Sequence, residues 1–139
     1  MPLIRETLAA GQNVVFSPKG TSMLPMLRQG MDSVTLSSVV GRLKKYDLPL
    51  YQRENGQYVL HRVIDVGDTY TCIGDNQFIL EQGVRHEQII AVVTKFSRDG
   101  REISVSSVGY QIYCRVWAFS RPVRHLALRI RNRLCRMLK

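Results

Sequence analysis

Closely spaced turn signals restrict the fold of this 139-residue chain more than any other feature. They are clusters of Gly with Asp or Asn at 54–57, 67–68, 74–77 and 98–100. Asn55-Gly56 is the strongest signal, because both residues tolerate the positive φ angles that a two-residue hairpin requires. Short segments rich in β-branched and aromatic residues lie between the turns. The pattern predicts one mainly-β domain, with its strands in a barrel-like or sandwich arrangement.

Local patterns also place the individual elements. The predicted strands are 13–16, 33–36, 48–51, 58–66, 69–73, 89–96 and 102–108. A short helix is expected from Pro2 to Ala10, with Gly11 ending it. Met26 and Leu27 are expected to begin a helical turn.

The C-terminal part of the chain has a different pattern. Apolar residues recur there at helical spacing, namely Tyr113, Val116, Trp117, Val123, Leu126, Ala127, Ile130, Leu134, Met137 and Leu138. Pro122 is expected to separate two helical pieces, because proline lacks an N–H and clashes with the preceding turn. We therefore predict a domain at 1–109 followed by a basic, amphipathic helical tail at 110–139.

The net charge of +9 is concentrated in this tail. Residues 110–139 contain eight Lys or Arg and no Asp or Glu, whereas 1–109 contain twelve basic and eleven acidic residues. Such a tail favours phosphate groups, either of nucleic acid or of anionic lipid. Nucleic acid is the less expected partner, because no known recognition motif is visible. Alternatively, the tail packs its apolar face on the domain and leaves the arginines solvated.

Several other classes of protein are disfavoured. Three cysteines without paired spacing predict reduced thiols rather than a disulfide framework, and the histidines lack metal-ligand spacing, so no metal or other cofactor is expected. Arg5 and Glu6 lie where a signal peptide would be apolar. The longest uncharged runs are twelve residues, against the roughly 20 that a spanning helix needs. We expect a cytoplasmic protein held peripherally at the membrane surface.

Ser22 lies in a segment suited to hold a nucleophile, Gly20-Thr21-Ser22-Met23-Leu24-Pro25. Gly20 permits a sharp bend and Pro25 stiffens the chain, which can fix a hydroxyl near backbone amides. A serine nucleophile needs this fixed position together with a base and donors for the oxyanion. The alternative is a tight turn in which the serine bonds only its own backbone.

His61 and Asp75 could complete a catalytic set. Histidine suits proton abstraction near neutral pH, and a carboxylate can fix its tautomer and orientation. Alternatively, His61 is a packed strand residue, and Asp75 closes the turn of Gly74-Asp75-Asn76 through backbone amides.

These motifs, taken together, resemble the signal peptidase I superfamily, which includes the LexA-like self-cleaving repressors. The resemblance rests on Gly-x-Ser-Met-x-Pro, on His-Arg-Val-Ile with its histidine 39 residues after Ser22, and on Gly-Asp-Asn. The segment 47–51 resembles a further stretch of the family, and the likeness extends over 14–93. With His61 where bacterial leader peptidases have lysine, the chain is most similar to the endoplasmic-reticulum and archaeal type.

The resemblance implies a serine endopeptidase with a LexA-like barrel of coiled strands. Ser22 would be the nucleophile and His61 the base, with Asp75, or alternatively Glu81, as the acidic partner. Gly20, Thr21, Met23 and Pro25 would shape the oxyanion and substrate site. The implied substrate is a leader or signal-like peptide segment, extended along a strand edge, with small residues near the cut.

Some features depart from the family. No N-terminal membrane anchor is visible, Tyr46 stands where glycine is frequent, and Gly20 stands where leader peptidases often have serine. Two other functions remain open. The domain could bind peptides without cutting them, or it could cut itself at Ala10-Gly11 as LexA-like regulators do.

Overall fold

The computed structural model describes residues 2–18, 23–24, 26–28, 30–77 and 79–138. In chain order its elements are α1 (Pro2–Ala9), β1 (Val14–Phe16), β2 (Ser33–Ser37), β3 (Pro49–Gln52), β4 (Tyr58–Leu60), β5 (Arg62–Val66), β6 (Tyr70–Ile73), β7 (Glu81–Val84), a 3-10 turn (His86–Gln88), β8 (Ile89–Arg98), β9 (Arg101–Ser104) and α2 (Val108–Met137). The prediction of a mainly-β fold with a C-terminal helix is confirmed.

The strands form two antiparallel sheets. The first has the order β1-β2-β8-β3-β4, with β9 pairing the far end of β8, and the second has the order β5-β6-β7. The long strand β8 organises the first sheet, because it aligns Ala91 with Leu50 of β3 and Phe96 with Val34 of β2. Among the described strands both sheets stay open at their edges and form no closed barrel, so the LexA-like barrel of coiled strands stays a prediction.

The predicted strand at 58–66 is in fact two strands in different sheets. Strand β4 ends at Leu60 in the first sheet and β5 begins at Arg62 in the second, with His61 between them. Residues 59–63 are all buried, so the in-and-out alternation that marks a single half-exposed strand is absent here. The chain therefore changes sheets at the proposed base.

Two apolar clusters support these sheets. The larger one joins the first sheet to α1 and to the start of α2, and includes Leu8, Leu50, Phe96, Tyr110 and Cys114. The smaller one lies between the sheets, and its members are Leu43, Tyr51, Val59, Val63, Tyr70, Cys72 and Val84. Each fully buried leucine or valine stabilises the fold by roughly 1.5–3 kcal/mol relative to an exposed one.

Helix α2 is continuous through Pro122, so the predicted division at this residue is wrong. In the turn before the proline, the side chains of Ser120 and Arg124 both donate to the carbonyl of Trp117, at 3.0 and 2.6 Å. These side-chain donors give the carbonyl of Trp117, one residue before the carbonyl of Ala118 that Pro122 leaves without its helical donor, additional hydrogen bonds. The first turns of α2 pack on the sheets, whereas its later apolar side chains are exposed.

No helix within the described ranges combines the length and the apolar character that crossing a membrane would require.

Candidate functional site

His61 is held at the junction between the sheets and is only 4% exposed. The hydroxyl of Tyr51, a fully buried residue of β3, lies 3.4 Å from its Nδ1. The two rings meet edge to face, with centroids 6.3 Å apart and an interplanar angle of 74°. Tyr51 therefore both packs against the imidazole and engages one of its two nitrogens.

An ion pair between Arg53 and Glu81 lies next to this pair of rings. Arg53 directly follows β3, and Glu81 begins β7. The guanidinium donates to the carboxylate from Nε at 3.1 Å and from Nη2 at 2.7 Å. The negative charge of Glu81 acts on the hydroxyl of Tyr51 and contributes to raising its pKa, after the larger effect of burial. Residues from both sheets thus meet beside His61.

The electrostatics favour a neutral imidazole and an ionised carboxylate. Burial lowers the pKa of His61 to about 4; the negative charge of Glu81 opposes this shift and Arg53 reinforces it. Burial alone would raise the pKa of Glu81, but the hydrogen-bonded guanidinium of Arg53, with a smaller effect of the Tyr51 hydroxyl, brings it below its usual value. At neutral pH, His61 therefore has a nitrogen lone pair available and Glu81 carries a charge.

A cavity of about 590 Å³ opens in front of His61. It is lined by Arg53, His61, Gln77, Ile79, Leu80, Glu81 and His125. Ile79 and Leu80 give it an exposed apolar side, and His125 brings helix α2 into its wall. An apolar cleft with a few convergent polar groups is the usual form of a binding site for small ligands or peptide side chains.

Asp75 lies nearby but is engaged elsewhere. Its carboxylate accepts from Arg62, at 2.8 and 2.9 Å, and from the hydroxyl of Tyr113 at 2.8 Å. Its backbone carbonyl accepts from Trp117 Nε1 at 2.7 Å and from Arg124 Nη1 at 3.2 Å. Asp75 therefore fastens helix α2 to the turn at 74–77, and its charge acts on His61 only through space.

Arg62, the residue after His61, is the other half of this buried pair. It also donates to the hydroxyl of Tyr110 and to Cys114 Sγ, both at 2.8 Å. Burial by itself would lower its pKa, but its hydrogen bonds and charge attraction to Asp75 raise the pKa above the ordinary arginine value. The arginine therefore stays charged and holds the start of β5 in place.

Met23, which directly follows Ser22 in the sequence, packs against the same turn. It is buried, and its sulfur accepts from the backbone amide of Asp75 at 3.5 Å. Its carbonyl accepts from the amide of Leu27 at 3.0 Å, so the turn seen here ends at Leu27, whereas the sequence predicted one that begins at Met26. The predicted site residues Gly20, Thr21, Ser22 and Pro25 lie outside the described residues.

Tyr46, one of the departures from the family pattern, has a φ of 79°. This is the left-handed region, which favours glycine and costs another residue roughly 1–2 kcal/mol. Lys45 and Arg115 lie over its ring, at 5.3 and 5.2 Å from the centroid. Its amide donates to the carbonyl of Val63 at 2.7 Å, which ties this loop to β5 just beyond His61.

Sequence reasoning did not identify Tyr51, Arg53, Gln77 and His125 as site residues. Tyr51 ends the segment 47–51 that the resemblance includes, so its position carried a weak signal. Arg53 and His125 lie in a hairpin and in the basic helix, where such residues are common on surfaces.

The buried thiol of Cys72 is poorly suited to act as a competing nucleophile. All three cysteines are free thiols, as expected, and burial raises the pKa of Cys72 to about 12. A thiol that stays protonated is a poor nucleophile. Within the described ranges, no three His, Cys, Asp or Glu side chains converge as a metal site would require.

Comparisons of this chain with protein-family models, with curated proteins and with solved structures found no match.

Proposed function

We propose that this protein is a serine endopeptidase of the signal peptidase type, in which Ser22 is the nucleophile and His61 the general base. The observation that carries the proposal is the setting of His61. It is a neutral, nearly buried imidazole in the wall of a cleft, oriented by Tyr51 and placed beside an ionised carboxylate. A neutral imidazole is the form of histidine that can take the proton of a serine hydroxyl and make it nucleophilic.

The chemistry follows from these roles. The oxygen of Ser22 bonds to the peptide carbonyl carbon while its proton moves to His61 Nε2. The C–N bond then breaks, and the imidazolium gives its proton to the departing amine. A water molecule next loses a proton to His61 and attacks the ester. The acid product leaves, and Ser22 regains its proton.

An extended peptide with small residues near the cut is the proposed substrate. Among the described strands, β4 pairs only with β3 and so has one free edge, whereas the second edge of β5 is occupied at Val63 by the backbone of Tyr46 and Asp47. His61 lies between β4 and β5 in the chain. A peptide that added along such an edge would form main-chain hydrogen bonds and pass close to the imidazole.

Helix α2 supports a place for this enzyme at an anionic membrane surface. Its exposed apolar side chains form one stripe with spacings of three or four residues, and they are Ile112, Val116, Phe119, Val123, Leu126, Ile130, Leu134 and Met137. Arginines lie along the same helix without any acidic residue between 110 and 139. An apolar stripe flanked by arginines suits a helix lying in the plane of negatively charged headgroups, such as those of the cytoplasmic leaflet.

A second copy of the chain could cover this apolar stripe instead of lipid. The spacing also fits a coiled-coil seam. Pairing two copies of α2 would, however, bring together two helices that carry only positive charges, with no acidic partner to neutralise them. Charge complementarity therefore favours lipid.

The peptidase proposal is tested by incubating a diverse peptide pool with the wild type, Ser22→Ala and His61→Ala, and reading the products by mass spectrometry in the presence of anionic liposomes. We expect cuts that both substitutions abolish, and the sequences at the cuts reveal the preference. Equal cutting by all three proteins would disprove the Ser-His mechanism. Peptides retained but not cut by the wild type would indicate a binding module instead. A wild-type fragment that begins at Gly11 would indicate self-cleavage.

A further inference from the structure

A second groove, of about 610 Å³, lies between the loop that precedes β3 and the first half of helix α2. Among the described residues it shares no lining residue with the cleft at His61, so it is a separate site. Its volume is typical of sites that take small ligands. We call it the Tyr46 groove, and its walls include Lys45, Tyr46, Arg115, Val116, Phe119 and Arg121.

The Tyr46 groove is positively charged. Lys45, Arg115 and Arg121 line it, and none of the described lining residues is acidic. Within the described part of the chain, none of these three cations forms an ion pair. Arg115 donates from Nη1 to the carbonyl and the side-chain oxygen of Gln111, at 3.0 and 2.8 Å, which uses only part of the donor capacity of a guanidinium. Three uncompensated cations favour an anionic ligand, and phosphate oxygens are well matched to such donors.

The ring of Tyr46 brings two of these cations together. Lys45 Nζ lies 5.3 Å from the ring centroid, and the guanidinium carbon of Arg115 lies 5.2 Å from it. The negative face of an aromatic ring attracts cations, which offsets part of the repulsion between two like charges. One cation comes from the loop and the other from helix α2, so the ring assembles a binding site from distant parts of the chain.

The backbone of Tyr46 is strained, with a φ of 79°. Its amide donates to the carbonyl of Val63 at 2.7 Å, and its carbonyl accepts from Arg62 Nη1 at 3.3 Å. These bonds to the start of β5 hold the unfavourable conformation. Residues fixed in strained conformations are concentrated at sites that bind ligands, so the strain supports a binding role for this loop.

The groove also has an apolar wall. Val116 and Phe119 line it with 60% and 89% of their surface exposed, and both belong to the apolar stripe of helix α2. The groove therefore continues into the stripe. A free phosphate or a nucleic-acid backbone would use the cations and leave these apolar side chains uncovered. A molecule with an anionic head and apolar tails matches both walls.

We propose that the Tyr46 groove binds the phosphate-bearing headgroup of one anionic phospholipid, with the acyl chains against Val116 and Phe119. This inference rests on the membrane location that we propose for helix α2, and it adds a discrete lipid site to that location. Lys45, Arg115 and Arg121 would surround the headgroup, and Tyr46 would keep the first two in place.

Titration with dihexanoyl phosphatidylserine, a short-chain lipid used below the concentration at which it forms micelles, tests the proposal without vesicles or peptides. We expect saturable shifts of the ring NMR signals of Tyr46 and Phe119. Dihexanoyl phosphatidylcholine, whose headgroup has no net charge, should bind more weakly. Lys45→Gln combined with Arg115→Gln should weaken binding of the phosphatidylserine by about 30-fold, because each basic residue near an anionic headgroup contributes about five-fold in affinity.

Lys44→Gln combined with Arg131→Gln is the matched control. It removes the same charge from the same loop and the same helix, but neither residue lines the groove. Its affinity should stay near that of the wild type. Equal weakening by the control, or equal binding of the two lipids, would overturn the proposal.

Two other ligands separate the alternatives. Inorganic phosphate that binds as tightly as the phosphatidylserine would show a simple phosphate site and overturn the lipid assignment. A DNA oligonucleotide that binds more tightly than the lipid, and is weakened by Lys45→Gln with Arg115→Gln, would assign the groove to nucleic acid instead.

The site and the membrane location can fail separately. Leu126→Asp combined with Ile130→Asp lies outside the groove, so this variant should lose flotation with vesicles and keep binding of the short-chain lipid. A wild type that binds the short-chain lipid but does not float would disprove the membrane location and leave the site standing. A wild type that floats, with no effect of Lys45→Gln and Arg115→Gln on the titration, would disprove the site alone.

Discussion

Arg62 and Asp75 form a two-point ion pair inside the protein, with Nε to Oδ1 at 2.8 Å, Nη2 to Oδ2 at 2.9 Å and both side chains only 2% exposed. The pair joins the residue after His61 to the turn against which Met23 packs. It thereby ties the start of β5 to the buried side chain of Met23. The pair therefore supports the fold around His61, and stability measurements can detect this contribution without any substrate.

Arg62→Met should destabilise the protein by roughly 3–5 kcal/mol, because it leaves the carboxylate of Asp75 buried without a counter-charge. Urea denaturation measures this loss. The double variant Arg62→Met with Asp75→Asn should regain a substantial part of it, since the unpaired charge is then removed as well. A single substitution that costs less than about 1 kcal/mol would contradict a buried, charge-bearing pair.

Protonation of His61 should make the fold less stable at acidic pH. Its pKa is about 4 in the folded protein and near 6.5 when unfolded, so the unfolded chain binds the extra proton between these values. The free energy of unfolding therefore keeps its full value, as far as His61 is concerned, above pH 6.5. It decreases as pH falls from 6.5 towards 4, by about 3 kcal/mol in total. His61→Asn should lack this contribution when urea unfolding of the two proteins is compared from pH 4.5 to 8. If the free energy of unfolding changed with pH in the same way for the wild type and His61→Asn, a buried neutral imidazole at His61 would be contradicted.

The value of kcat/KM should fall at acidic pH with a midpoint below the pH range usual for a histidine base. In the proposed mechanism only neutral His61 can accept the proton of Ser22, and its pKa is lowered. The charged or titratable groups facing the imidazole are Tyr51, Arg53, Asp75, Glu81 and His125. Arg53 lowers the pKa of His61, so Arg53→Gln should move the limb to higher pH. A shift to lower pH, or none, would show that Arg53 does not act on the base. The pH profile of peptide cleavage by both proteins decides this.

Binding of helix α2 to anionic lipid should depend on its apolar stripe and on salt. Leu126→Asp combined with Ile130→Asp places charges where the stripe would enter the bilayer, so flotation with phosphatidylserine vesicles should be lost. Val40→Asp is the control, since Val40 is 94% exposed but lies in the loop after β2. Higher ionic strength should weaken binding of the wild type.

Light scattering, which measures the oligomeric state, tests whether a second copy of the chain covers the apolar stripe instead of lipid. A monomer that floats with vesicles is the expected result. A dimer that the Leu126→Asp and Ile130→Asp substitutions dissociate, together with no vesicle binding, would show that a second copy covers the helix.

Local structure was largely predictable from the sequence. The helix ended by Gly11, the hairpin at Asn55-Gly56 and the helical periodicity after Gly109 are confirmed. Strand β7 was missed, because Glu81, Gln82 and Gly83 are residue types that strands disfavour. It forms nonetheless, because Tyr70 and Cys72 of β6 offer it a pairing edge.

The sequence determined which residue types could carry the chemistry and where the chain turns, since glycine, asparagine and apolar periodicity act over only a few neighbouring residues. Only the tertiary structure decided which groups surround His61. The change of sheet at Leu60 and Arg62, and the approach of Glu81 to Arg53 across 28 residues, depend on pairing between distant segments. Such contacts arise from the packing of the whole core, so no local pattern distinguishes Glu81, the acid beside His61 and Arg53, from Asp75, the acid that holds helix α2.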